Sequence, residues 1–451
     1  MKRITIIGGG ASGTLLAINL LKYDGESRIE INLVEKRDTI GRGVAFGTQH
    51  DVHLLNVPAG KMSAFPDDPE DFHRWLISEG HEYDPHDFVP RMLFGEYLTA
   101  TLERARENAK ANVVLNIYDD EAVDAHFDSG KAEVVFASGD IHYSEAVVLA
   151  FGNFLPPHPS VPDKAFAKTA KYFRDPWSPD VDTVIEKEDA VLILGTGLSM
   201  ADAVLRLRNN GHRGNISAIS TRGLISAEHK LGFTHPNFYD EIKDKQRITD
   251  ILKIVRRQME IATESGSDWR AVIDSLRPHT QELWLNLPLP EKKYFMQHLS
   301  RYWNVARHRM PPQVRATLEE LRSNGELSIL RGRLRSIDHT PKGFITAYTF
   351  NGETKTIETD AIINCIASES NFSRIDSPLV RNLFASGAMR CDDLNFGLDA
   401  APDGSVRFAS GDPNGLVFTL GTALKGVLWE STAIPEIRVQ AHNLADRLMQ
   451  P

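Results

Sequence analysis

The residues with chemical potential in this chain are mostly glycines, and their spacing occurs twice. Gly8, Gly10 and Gly13 stand in RITIIGGGASGTLLAINLL (3–21) and Gly195 and Gly197 in VLILGTGLSMADAVLRL (191–207). A buried strand, a glycine turn and a helix start together form a cradle for a pyrophosphate. One glycine permits the tight turn, one lets the backbone approach the phosphates, and one lets the helix pack on the strand. The helix start, which carries Ser12, offers free N–H groups and the positive end of its dipole. The next strand, IEINLVEK, ends at Glu35 followed by Lys36. Glu35 comes about 20 residues after the turn, where an acid that hydrogen-bonds a ribose diol is expected. The alternative is a tight strand-to-helix turn with no ligand.

The second turn reads Gly195-x-Gly197-x-Ser199-x-Ala201, with a small residue in place of the third glycine. Its following strand, NISAISTRG, ends at Thr221-Arg222 without an acid. An acid there would repel a 2′-phosphate and an arginine would pair with it. This favours NADPH, with NADH left open; Arg222 could equally stack on adenine or be a solvated loop residue. Gly197-Leu198-Ser199-Met200-Ala201 also fits the nucleophile elbow of an α/β-hydrolase. That reading needs a downstream acid, a histidine and an oxyanion loop, and leaves the first cradle unexplained.

The elements around the turns separate FAD from NAD. After Glu35 the chain enters a long loop-rich segment (41–68), where an NAD domain would start its next strand–helix unit. Residues 112–153 alternate as a three-stranded antiparallel meander and close with a buried strand running into Gly152. This order resembles the glutathione-reductase-like FAD domain. Pro156, Pro157, Pro159 and Pro162 make a stiff connector to the second cradle. Residues 236–323 have helical apolar spacing and read as an insertion. It carries Trp269, Trp284 and Trp303, and the basic run Arg307, His308, Arg309. It is either a lid with basic groups for an acidic substrate or a plain helical bundle. A second meander and a buried strand (361–367) mirror the first. The C-terminal segment returns to the FAD half, with Gly411-Asp412 expected at the ribityl chain.

The predicted fold class is therefore α/β. Two Rossmann-like dinucleotide-binding domains, a glutathione-reductase-like FAD domain (1–165 and 368–451) and an NAD(P)H domain (166–235 and 324–367), carry a helical insertion (236–323). The composition agrees with a globular chain large enough for two or three domains: 451 residues, 41% hydrophobic and 25% charged. A net charge of −10 gives no basic footprint for nucleic acid or an anionic membrane. Two cysteines, Cys365 and Cys391, make neither a disulfide scaffold nor a cysteine-rich zinc site, and no metal site is expected. They are too distant in sequence for a close redox pair and suit a reducing, cytoplasmic compartment. Cys365, inside a buried strand, reads as structural. The opening MKR with its apolar run imitates a signal peptide, but Gly8, Gly9 and Gly10 break the run early, and no stretch is long enough to span a membrane.

IIGGGASG, GRGVAFGT, LLNVPAGKMS, DWRAVIDSLRPHTQELW, YWNVARHRMPP and LWESTAIPEIR, spread over nearly the whole chain, resemble a family of bacterial FAD/NAD(P)-binding oxidoreductases related to class B flavoprotein monooxygenases. The resemblance implies an FAD enzyme reduced through a separate NAD(P)H domain. It implies that Asn56, Met62 and Ser63 line the flavin, with Asn56 and Met62 closest to the ring. The Gly and His that precede the second cradle in Baeyer–Villiger enzymes are absent, and YFRDPWSPD (172–180) stands there, against ketone-to-ester chemistry. The expectation is a flavin monooxygenase acting with molecular oxygen on a small organic substrate at an N, S or C centre. A flavin reductase with an organic acceptor and a flavin-bound sensor that does not turn over are the alternatives. No catalytic acid or base is identified, nor is the oligomeric state.

Overall fold

A computed structural model describes every residue except 38, 39, 129 and 451. Two parallel sheets organise it. The first has the order β16-β17-β7-β1-β2-β3, built from β1 (Lys2–Ile7), β2 (Ile29–Glu35), β3 (Val113–Asp119), β7 (Ala146–Leu149), β16 (Ser405–Arg407) and β17 (Pro413–Thr419). Only the β16–β17 pair is antiparallel. β1 and β7 bury residues on both faces, which is why they read as continuous apolar runs rather than alternating ones. The helix Ala11–Leu21 covers one face with Arg91–Glu107 and the C-terminal helix Ile434–Met449.

The second sheet has the order β11-β10-β9-β15-β8 and is parallel throughout. Its strands are β8 (Tyr172–Phe173), β9 (Val191–Leu194), β10 (Ile216–Ser220), β11 (Leu327–Arg331) and β15 (Ala361–Asn364). Each sheet carries a three-stranded antiparallel meander. β4 (Ala122–Asp128), β5 (Lys131–Phe136) and β6 (Ile141–Ser144) serve the first; β12 (Arg333–Thr340), β13 (Gly343–Phe350) and β14 (Glu353–Thr359) serve the second. The halves thus share a core of four parallel strands and a meander, as the two mirrored segments lead one to expect, while the first adds the β16–β17 hairpin and the second the short strand β8.

Two boundaries differ from the sequence reading. Residues 113–119 are not part of the first meander. They form the edge strand β3, paired in parallel with β2 from Ile29↔Val113 to Glu35↔Asp119. Their alternation suits either role, because an edge strand has one face on the core (Val113, Leu115) and one toward solvent. The insertion also ends earlier. Its last helix, Pro312–Ser323, packs Val314, Leu318 and Leu321 against Ile193 and Val204, so it is the second sheet's own crossover into β11. The remaining helices, Tyr239–Ile242 to Ser300–Arg307, have a separate apolar core of Val255, Val272, Ile273, Trp284 and Phe295, to which Trp429 of the C-terminal segment contributes. Among the described residues no helix is long and apolar enough to cross a membrane.

Candidate functional site: two dinucleotide cradles and the seam between them

The first cradle lies at the C-terminal ends of β1 and β7. Gly8 has φ +111°, and a Cβ there would run into the carbonyl oxygen of Ala150 at the end of β7. A Cβ on Gly13 would collide with the carbonyl oxygen of Gly8, so only glycine lets the helix start so close to the turn. Around Gly10 the nearest atom to an added Cβ is the Cα of Gly43, at 3.5 Å, so the 41–47 loop crosses directly over the turn. Glu35 is fixed to the cradle: the Gly9 N–H donates to Oε2 at 2.8 Å, and Oε1 takes the Arg37 N–H at 3.2 Å. A turn only glycine can make, a free helix start and a carboxylate locked beside them fit the adenosine-diphosphate part of FAD. Lys36 is turned to the surface, where it pairs with Glu121 at 2.7 Å.

The C-terminal segment reaches this cradle through a different glycine from the one expected. Gly411-Asp412 forms the turn of the β16–β17 hairpin, with the Phe408 N–H donating to the Asp412 carbonyl at 2.8 Å. β17 runs parallel to β7, so that turn lies at the opposite end of the sheet from Gly8. The other end of β17 delivers Gly421, at φ +72°, where a Cβ would stand 2.8 Å from the Ser12 hydroxyl. Next to it the Thr422 hydroxyl donates to the Gly152 carbonyl at 2.5 Å. Gly152 and Thr422 line a cleft with Asn153, Ser368, Ser370 and Lys425. Burial holds the Lys425 ammonium below its ordinary pKa, and the cation lies 4.6 Å from the centre of the Phe396 ring. Sequence reasoning missed Gly421, although a glycine directly after a strand was a legible signal. It had no signal for Lys425.

Asn56 stands at the seam between the halves: its carbonyl accepts from His229 Nε2, on the loop after β10, at 2.9 Å. Burial, aided by the Arg309 charge, lowers the His229 pKa to about 4 and keeps the ring neutral. Met62 and Ser63 are inside the first half. Met62 belongs to the core that holds Phe72 and Tyr97, and the Ser63 hydroxyl accepts from the Phe65 N–H at 3.0 Å. His53 and Arg91 join the same seam through the second half's helix Leu198–Asn209. His53 Nε2 reaches the Asp202 carbonyl at 3.1 Å, and Arg91 pairs with the buried Asp202 carboxylate at 2.8 Å.

The second cradle repeats the first. Gly195 has φ +113°, and its Cβ would enter the carbonyl oxygen of Cys365, which takes the place of Ala150. Gly197 precedes the helix in extended backbone, with open space where a Cβ would be. The position equivalent to Gly13 is held by Met200, fully buried in the core, rather than by a small residue; Ser199 and Ala201 flank it. Ser199 is the second residue of a regular helix, and the strained backbone belongs to Gly195, which removes the nucleophile-elbow reading. Arg222 is exposed at the mouth of a cleft lined also by Thr196, Gly197, Ser220 and Leu224. Cys365 is buried with its thiol pKa pushed up by burial, and Cys391 lies in the other half, so the two make no redox pair.

The insertion's basic run points inward. Arg307 lies 3.6 Å from both Glu430 and Glu436, Arg309 pairs with Asp274, and burial keeps His308 neutral. Trp303 Nε1 donates to Glu430 at 2.7 Å, Trp284 Nε1 to the Gly426 carbonyl at 2.9 Å, and Arg277 pairs with Glu436 at 2.8 Å. These groups fasten the insertion to the C-terminal segment. Trp429, at the centre, holds φ +62° with its ring 5.1 Å from that of Trp284. A non-glycine residue held so costs about 1–3 kcal/mol and marks a place where the surroundings dictate the backbone.

Residues 5–154 match the family model described as FAD-NAD(P)-binding, and the first cradle lies within the matched stretch. No curated protein matches the chain. Among solved structures it is similar to the FAD-bound cadaverine monooxygenase of desferrioxamine biosynthesis from Erwinia amylovora, at 12% identity and TM-score 0.66 over 99% of this chain and 94% of that one. It is similar to the ornithine N-hydroxylase of Kutzneria sp. 744, with reduced FAD, NADP+ and L-ornithine, at 12% identity and TM-score 0.62 over 99% and 98%. The bacillithiol disulfide reductase of Staphylococcus aureus matches at 13% identity and TM-score 0.58 over 100% and 99%. Together they show the fold: two dinucleotide-binding domains on one chain.

Proposed function

We propose that this chain is an FAD- and NADPH-dependent monooxygenase of a small organic substrate, with an amine nitrogen as the favoured centre. The observation that carries the reading is the pair of cradles, each with a positive-φ glycine wedged under the carbonyl of the strand that follows its own meander. Two such sites in one chain suit a resident FAD and an exchangeable coenzyme that feeds it. FAD, when bound, would accept a hydride from NADPH and pass the electrons to oxygen. The amine preference is supported by the activities named for the cadaverine and ornithine enzymes that share the fold.

The chain's own residues would bind, orient and exclude water. Gly8, Gly10 and Gly13 open the turn to a pyrophosphate, and Glu35 offers its carboxylate to a ribose. Gly421 lets the last segment close on Ser12. Gly195, Gly197 and Arg222 do the same for the coenzyme. At the seam burial keeps His53 and His229 neutral, and the Trp284–Trp429–Phe295 cluster makes an apolar core where the insertion meets the C-terminal segment. Disulfide reduction through a cysteine pair of this chain is disfavoured, because both thiols have raised pKa values and are poor thiolates at neutral pH; a reductase with an organic acceptor is separated by the test below.

The test is aerobic NADPH oxidation by the purified flavoprotein against primary diamines and basic amino acids, thioethers and ketones, with products read by mass. The expected result is coenzyme consumption coupled to one added oxygen atom in one amine class. Rapid anaerobic turnover with a disulfide or quinone acceptor, without any oxygenated product, would replace this reading with the reductase one.

A further inference from the structure

The cleft beside the second glycine turn has a wall that the two-cradle scheme does not supply. Thr196, Gly197, Ser220, Thr221, Arg222 and Leu224 come from the cradle, but Arg301, Asn304 and Val305 come from the insertion helix Ser300–Arg307. We propose that Arg301 and Asn304 complete the coenzyme site. Arg301 and Arg222 then hold the 2′-phosphate of NADPH from opposite walls, and Asn304 hydrogen-bonds the adjoining ribose. This rests on the reading of that cradle as the NADPH site.

Four observations support the assignment. First, Arg222 and Arg301 have no carboxylate within ion-pair distance among the described residues, while Arg307 and Arg309 in the same stretch are paired with Glu430, Glu436 and Asp274. Two unneutralised guanidiniums facing one cleft suit a dianion, which each can grip with paired N–H donors. Second, the strand end that would carry a ribose-binding acid has Ser220, Thr221 and Arg222 instead. Third, the helix is held in place. The Ala227 N–H donates to the Val305 carbonyl at 3.0 Å, the Met310 N–H to the Ala227 carbonyl at 2.9 Å, and the His229 N–H to the Met310 carbonyl at 2.9 Å. The loop after β10 is therefore laced to the insertion. Fourth, the helix has two faces. Residues 301, 304 and 305 share one, as positions three and four apart must. Trp303 and Arg307 share the other and hold Glu430 of the C-terminal segment. One short helix thus touches the coenzyme cleft and the FAD half together, and the insertion belongs to the coenzyme site.

The test measures binding of 2′,5′-ADP and of 5′-ADP to the FAD-loaded full chain by calorimetry, for the wild type and for R301Q, R222Q, N304L and the outward-facing control R256Q. Arg301 is partly exposed, and among the described residues its side chain bonds only the Gln297 carbonyl near the end of the preceding helix, at 2.5 Å, so Gln is accommodated without loss of packing. Flavin content and melting temperature verify that each variant is folded. The expected result is that R301Q and R222Q each weaken 2′,5′-ADP about tenfold, as loss of one charge-assisted contact does, with 5′-ADP changed less than about twofold. N304L weakens both nucleotides and R256Q neither. Wild-type affinity for 2′,5′-ADP in R301Q overturns the proposal, as does equal weakening of both nucleotides by R301Q. Failure of the wild type to bind either nucleotide overturns the cradle reading itself, a distinguishable result.

Discussion

Glycines at these turns have different duties, and substitutions separate them. Gly13→Ala places a methyl group on the carbonyl oxygen of Gly8. The first helix must then shift, at a cost of about 1–3 kcal/mol as for overpacking elsewhere. The purified variant is expected to be nearly free of flavin and to melt lower. Gly197→Ala meets nothing within 4 Å at a φ of −87°, so the fold and the FAD survive. Its methyl group occupies the space a pyrophosphate needs, and NADPH binding is expected to weaken about tenfold or more, a contact worth roughly 1.4 kcal/mol. A flavin-loaded Gly13→Ala, or a Gly197→Ala that binds NADPH normally, would show that these turns are not cradles. The glycine turns and Glu35 were legible because strand, turn, helix and acid are local in sequence. Gly411-Asp412 misled because a hairpin turn and a cofactor loop both call for glycine, and only strand direction tells them apart. Arg301 was invisible, since the cleft it lines is built from Thr196, Gly197 and Ser220 to Ser226, about 75 to 105 positions earlier.

At the scale of elements the insertion matters most. Its helical character followed from apolar periodicity, but its role did not. The basic run that suggested an acidic substrate is folded against Glu430, Glu436 and Asp274. Helical spacing shows that a face is buried and cannot show whether an arginine on it meets solvent or a carboxylate from another part of the chain. Removing Glu430 takes one of two carboxylates from the buried Arg307 and the acceptor from Trp303 Nε1. Glu430→Ala is therefore expected to destabilise by about 3–5 kcal/mol, while replacing Arg307 and Glu430 together by Met recovers only part of that loss, because Trp303 Nε1 stays without its acceptor. Urea unfolding of the single and double variants checks it; a single variant within about 0.5 kcal/mol of wild type would mean that this pair does not fasten the insertion. The β3 misassignment has a similar cause, because one-sided burial gives the same alternation in a meander and at a sheet edge.

The whole molecule is one supersecondary plan used twice: cradle strand, two further parallel strands, a meander, and a return strand whose carbonyl locks the first glycine. The repeat was visible in the sequence as architecture, through two turns and two mirrored meanders. What it left open was how the halves meet, since the seam is made by long-range pairs such as Arg91–Asp202 and His229–Asn56. A molecule built this way should pass electrons from a nucleotide in one cradle to a flavin in the other. The most direct measurement is the visible spectrum of the purified, FAD-loaded protein mixed without oxygen with NADPH and, separately, NADH, and then opened to air. The flavin bands are expected to bleach, faster with NADPH, and to return when air is admitted. A flavin that neither nucleotide bleaches, or a protein that takes up no FAD at all, would contradict this expectation.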